Sequence, residues 1–381
     1  MVERIRIDEI TERLVGMKLS NVVLAMFLSS WFLMGCGTEN NNFSISGNQE
    51  NMGNGSGTSN NPGSSNDASD VYGSDNGGNG SSDGGNGSSN ISQSPYNRKS
   101  RISDVMADPV FGDYGRLLFP MQRGYWSGET LENLRLTYYN NIDPNETVAI
   151  VNHLHDVAAS GQTIFFNIYS EAEKANDPRK QDTGLFFFRG NPGARFAVCN
   201  AGGAFAYVGA MHDSFPHALE LSKMGYNAFA LIYRPGAQTA CEDLARAISF
   251  ILAHAEELGV NTDSYSLWGG SAGGRMAAWV SGYGTAAFGG DNLPKAGAVI
   301  IQYTGLSDYS RDDVPTYSCV GSNDGIAYWR TMQARLEGLA SLGIPTEFHV
   351  YQGLSHGFGL GTGTVAEGWI KDAVKFWEKQ M

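Results

Sequence analysis

Between residues 163 and 381, short and almost wholly apolar runs alternate with segments of helical periodicity. Few folds accommodate that rhythm. Strands apolar on both faces must be covered on both faces, and a helix between successive strands returns the chain to the same edge, so the strands run parallel. Runs at 195–199, 226–233 (YNAFALIY), 265–268, 298–303 (AVIIQY), 317–320 and 346–351 read as buried strands. Segments 163–169 and 184–189 read as two earlier strands, paired as a hairpin. Helices are predicted at 214–224 and 327–342. Another starts at Thr239, which forms a capping box with Glu242 and precedes Leu244, Ile248, Ile251, Leu252, Ala255 and Leu258 on one face, up to Gly259. A final helix is expected behind caps at Thr364 and Glu367. The fold class is therefore α/β, a mostly parallel central sheet covered by helices on both faces.

In open sheets of this kind, ligands bind beyond the carboxyl ends of the strands. One such end carries YSLWGGSAGGR, residues 265–275, in which Gly269, Ser271 and Gly273 match G-x-S-x-G. A serine on a sharp strand-to-helix turn is held in a strained backbone conformation, and side chains two residues away on either side would collide. Glycines remove the collision and leave the hydroxyl clear. A base and an acid should follow in the order Ser, Asp, His. His356 lies in the glycine-rich loop GLSHGFGLG after the last strand, whereas His349 falls within that strand and His212 precedes the serine. Asp324, in VGSNDGI one element earlier, is the favoured acid, with Asp308 as its rival; Asp312 and Asp313 read as a solvated charged loop. An oxyanion would be met by the N–H of Ala272 and by those of Gly203 and Ala204, in the loop NAGGAF directly after strand 195–199.

These motifs resemble an α/β-hydrolase of the esterase/lipase type, near the microbial carbohydrate-esterase-like group. GGSAGG, AGGAF, Asp324 and SHGFG match its nucleophile turn, oxyanion loop, acid and histidine loop in order. The resemblance covers 163–381. It implies a serine esterase with Ser271 as nucleophile, His356 as base and Asp324 as its partner, acting through an acyl-enzyme without metal or organic cofactor. The expected substrates are short acyl esters of small molecules or oligosaccharides. An extracellular serine peptidase of the same fold and a non-catalytic surface binding protein are the alternatives. The chain departs from the family where His-Gly-Gly-Gly is common: it has Ala201-Gly202-Gly203-Ala204.

The first 162 residues read differently. Residues 1–36 read as a signal peptide with an apolar core at 22–34, short for a membrane span, ending in Leu33-Met34-Gly35-Cys36; a plain secretory signal or an uncleaved anchor is the alternative. That ending resembles a bacterial lipobox and implies lipidation of Cys36, which would hold the protein outside the cytoplasm on a membrane. Residues 1–16 mix acids and bases, so a start at Met17 would give the more usual leader. Residues 37–97, rich in Asn, Gly and Ser, read as a disordered tether with a reach of roughly 40 Å. Residues 98–162 read as an N-terminal extension packed on the catalytic domain, with a helix opening at Asp143-Pro144. His153 and His155 within it lack partners for a metal site and face different directions on a helix. The net charge of −13 argues against nucleic acid as a partner. Cys199, Cys241 and Cys319 read as buried free thiols.

Overall fold

The computed structural model describes residues 95–381; Cys36, the leader and tether residues 37–94 lie outside the described residues. The central sheet comprises β1 (Phe165–Phe166), β2 (Gly184–Phe188), β3 (Arg195–Asn200), β4 (Asn227–Ile232), β5 (Asn261–Gly270), β6 (Ala298–Gln302), β7 (Thr316–Gly321) and β8 (Thr346–Tyr351). Their spatial order is β8-β7-β6-β5-β3-β4-β2-β1. From β3 to β8 all pairings are parallel, while β2 runs antiparallel to β4 and β1 to β2. The main helices are α1 (Pro144–Ala159), α2 (Phe215–Lys223), α3 (Ala237–Ala253), α4 (Ser271–Tyr283), α5 (Trp329–Ser341) and α6 (Trp369–Glu378).

Residue chemistry accounts for these elements. Strands β2 (GLFFF) and β4 (NAFALI) are buried along their whole length, and Phe187 stacks on Phe229 across them at 4.2 Å. Removing such an aromatic ring from water contributes roughly 2–3 kcal/mol. Helix α6 buries Trp369, Ile370, Ala373, Val374, Phe376 and Trp377, and its two tryptophans close on Trp268 of β5. The segment before β1 shares the same core through Val105, Phe111, Leu118, Leu134, Ile150 and Leu154. Asp143 caps α1 by accepting from Asn145 N–H at 2.8 Å.

Four local expectations need correction. The strand expected at 163–169 shrinks to Phe165–Phe166, because Ser170 opens a short helix with its own capping box to Glu173. Helix α3 begins two residues before Thr239, behind Gly236 at φ 110°. Thr239 Oγ1 donates backwards to the Pro235 carbonyl (2.8 Å), so it is a helix-interior threonine bonded to the preceding turn and not a cap. Thr364 and Glu367 bond within the turn that precedes α6, whose own cap position is Gly368. Asp313 is not part of a solvated loop: it pairs with the buried Arg335 at 2.7 Å.

The sheet order places the site. Strand β3 has β4 on one side and β5 on the other, so the connections leaving β3 and β5 diverge. A crevice at such a switch point is where an open α/β sheet receives ligands.

Candidate active site

Strand β5 ends at Gly270 and α4 begins at Ser271, with no residue between them. The chain turns within one residue, and Ser271 occupies the left-handed region at φ 51°. The flanking glycines have steric causes. A Cβ on Gly269 would lie 2.4 Å from the Gly273 carbonyl carbon, and one on Gly273 would lie 2.0 Å from the Asn200 carbonyl oxygen at the end of β3. Both clashes are with backbone, which has little room to give. Gly273→Ala is therefore expected to cost about 3 kcal/mol of stability, read as a lowered denaturant midpoint. An unchanged midpoint would contradict this packing.

The structure brings the three separated residues together. His356, in the loop after β8, places Nε2 3.0 Å from Ser271 Oγ and Nδ1 2.8 Å from Asp324 Oδ2. The second carboxylate oxygen of Asp324 accepts from Ile326 N–H (2.8 Å) and Ala327 N–H (2.7 Å), which fixes the carboxylate plane. Asp308 is exposed and meets Trp279 Nε1 at 3.4 Å, away from the imidazole. His212 does not face the serine; its Nε2 lies 2.9 Å from the Gly357 carbonyl and braces the histidine loop.

The loop after β3 lies against Ser271. A Cβ on Gly202 would fall 2.8 Å from Ser271 Cβ. Gly203, Ala204 and Phe205 follow at φ 127°, 55° and 57°, which turns the chain sharply just after the residue that touches Ser271. Ala204 stands in a left-handed conformation that a glycine would adopt without strain. Ala272 is the second residue of α4, so its N–H has no acceptor within the helix. Tyr233 Oη donates to the Ala201 carbonyl at 2.6 Å, which braces the loop.

Several residues at this site were not picked out from the sequence. Asn140 Nδ2 donates to the His356 carbonyl (3.2 Å) from the segment before α1. Asp213, fully buried, accepts from Gly202 N–H (2.7 Å), Tyr139 Oη (2.9 Å) and Tyr303 Oη (2.5 Å). Burial pushes its carboxyl up to about 6, against the opposing pull of those hydrogen bonds. One sign was available: Asp213 is the lone Asp, Glu, Lys or Arg between Arg195 and Glu220. Among the described residues no group of three or more His, Cys, Asp or Glu side chains is placed to hold a metal ion. His153 stacks on Phe188, and Cys199, Cys241 and Cys319 are buried and unpaired.

Burial lowers His212 and His217 to about 4. In the unfolded chain each takes up a proton near pH 6.5, whereas in the folded protein it stays neutral until about pH 4. Their contribution is complete above pH 6.5 and is lost as the pH falls to 4, by up to about 3 kcal/mol each. His217→Gln should flatten the dependence of Tm on pH between 6.5 and 4 relative to the parent. Parallel curves would contradict this reading.

The reversal of strand order, the residue-tight turn at Ser271 and the histidine loop beyond the last strand define an α/β-hydrolase fold. Residues 193–297 match the BD-FAE family, a span that holds Gly203, Ala204, Ser271 and Ala272 and ends before Asp324 and His356. No curated protein matches the chain. Among solved structures, an acetyl ester-xyloside bifunctional hydrolase from Caldicellulosiruptor lactoaceticus is similar at 19% identity, with 56% of this chain and 95% of that chain covered and a TM-score of 0.50. MGS-M1, an α/β hydrolase enzyme from a Medee basin deep-sea metagenome library, is 18% identical over 57% of this chain and 96% of its own, with a TM-score of 0.46. A thermophilic esterase from the Planctomycetes species Thermogutta terrifontis is 20% identical over 52% and 89%, with a TM-score of 0.43.

Proposed function

We propose that this protein is a serine esterase that cleaves carboxylic esters through an acyl-enzyme. The observation that carries the reading is the unbroken line of hydrogen-bonding contacts from Ser271 Oγ through His356 to Asp324, at 3.0 and 2.8 Å, beside the unpaired N–H of Ala272. Ser271 Oγ attacks the ester carbonyl carbon while His356 Nε2 takes its proton. The negative charge passes to the carbonyl oxygen, which Ala272 N–H and the N–H groups of Gly203 and Ala204 receive. Asp324 accepts the Nδ1–H, selects the tautomer with a bare Nε2 and stabilises the imidazolium. His356 then protonates the departing alkoxide. Water, deprotonated by His356, attacks the acyl-enzyme, and collapse of the second intermediate returns the proton to Ser271 and frees the carboxylic acid. Every proton and electron pair is carried by groups of the chain, the ester and water.

The BD-FAE match and the shared fold of the acetyl ester-xyloside hydrolase support short acyl esters on carbohydrate as the substrates to test first. We further propose that lipidation at Cys36 holds the enzyme outside the cytoplasm of a bacterium. Mass spectrometry of the purified protein tests that point: a diacylglyceryl Cys36 at the mature N-terminus is expected, and an unmodified leader would refute it. For the activity, p-nitrophenyl acetate and acetylated xylan are expected to be hydrolysed and Ser271 to be labelled by a fluorophosphonate. Cleavage of aminoacyl-p-nitroanilides in preference to esters would indicate a peptidase, and a folded protein that is neither labelled nor active would indicate a binding protein.

A further inference from the structure

We propose that Asp213 is a positioning residue whose carboxylate holds the oxyanion loop, the nucleophile turn and the histidine loop in register. The inference rests on the esterase reading and concerns how that same site is assembled. A carboxylate sealed from water is costly even when bonded, and an apolar residue of similar volume is often the more stable choice. Its neighbours show what it does instead.

Four features converge on it. Gly202 N–H is taken by Asp213, which ties the loop carrying the proposed donors Gly203 and Ala204 to this carboxylate. Gly270 has φ −105° and ψ 148°, a conformation open to any residue, yet a Cβ there would lie 2.3 and 2.5 Å from the two Asp213 carboxylate oxygens. The glycine immediately before the nucleophile is thus required by Asp213 and not by its own backbone. Tyr303 holds a left-handed φ of 34°, rare for a bulky residue, while its hydroxyl bonds Asp213 and its ring lies edge-on to His356 at 4.9 Å. Tyr139 donates its hydroxyl to Asp213 and packs its ring under Gly357, where a Cβ would meet Tyr139 Cδ1 at 2.7 Å. One carboxylate therefore touches the turn that carries Ser271, the loop that supplies oxyanion donors and, through two tyrosines, the loop that carries His356.

Asp213→Asn tests the assignment. The amide keeps the shape of the side chain, but its single oxygen cannot accept from Gly202, Tyr139 and Tyr303 together. With p-nitrophenyl acetate, kcat per fluorophosphonate-labelled serine should fall about 10²- to 10³-fold, the loss typical of one displaced oxyanion donor, with KM changed by less than about threefold. An alkyl boronic acid, which mimics the tetrahedral intermediate, should lose affinity by the same factor as kcat/KM. Tyr139→Phe and Tyr303→Phe should each give the same pattern at about tenfold. If Asp213→Asn does not fold, the two phenylalanine variants decide by the same measurements. Turnover within about threefold of the parent, or a fall in kcat without loss of boronate affinity, would overturn the assignment. A parent protein that is neither labelled nor active would instead overturn the esterase reading itself.

Discussion

Ser271→Ala is expected to lower kcat for p-nitrophenyl acetate on the order of 10⁶-fold, to a residue of activity close to the uncatalysed rate. Ser271 Oγ is the hydroxyl that His356 Nε2 meets, at 3.0 Å, and alanine leaves the carbonyl carbon without a nucleophile at that point. The proposed oxyanion donors remain, so a small advantage over water should persist. Stability should change little. Ser271 is half-buried, its hydroxyl meets only His356 Nε2 among the described side chains, and alanine at φ 51° bears the same backbone strain as serine. Equal turnover by a folded Ser271→Ala protein would dismiss the covalent mechanism, and active-site labelling in parallel would show which residue replaces it.

Asp324→Asn is expected to lower kcat on the order of 10⁴-fold. The reason is directional. One carboxylate oxygen already accepts from Ile326 N–H and Ala327 N–H, so an asparagine must place its oxygen there and turn its NH₂ toward His356 Nδ1. The imidazole then accepts at Nδ1 and carries its proton on Nε2, facing Ser271, where it can take none. Geometry would be kept and the tautomer reversed. Asp308→Asn, at an exposed position whose side chain meets Trp279, should leave kcat within about threefold. The opposite ranking of the two variants would show that Asp308 and not Asp324 orients the base.

Much of this was legible in the chain because it depends on local chemistry. Buried parallel strands are written as continuous apolar runs, and a nucleophile turn is written as glycines at fixed offsets, since the steric clash that demands them acts over two residues. Chain order admits both Asp308 and Asp324; Asp324 is favoured in the sequence because its short loop directly precedes the last strand and the histidine loop. Helix starts were less secure. Thr239, Thr364 and Glu367 have the residue types of caps, but the helices begin behind Gly236 and Gly368, at φ 110° and 89°.

The bracing of the site was not legible in that way. Asp213 meets Tyr139 and Tyr303 across 74 and 90 residues, and Asn140 meets His356 across 216. No local pattern encodes such pairs: a lone acid in an apolar stretch hints at burial, but its partners are set by residues distant in the chain. The sequence by itself determined the α/β architecture and the residue types available at the strand ends, through periodicity and short-range sterics. The tertiary structure alone decided that residues ahead of the sheet reach the same crevice. It also turned Asp213 from a lone charge in an apolar stretch into the point where three loops meet. Folding sets such contacts by burial, and burial belongs to the assembled core and not to any one segment.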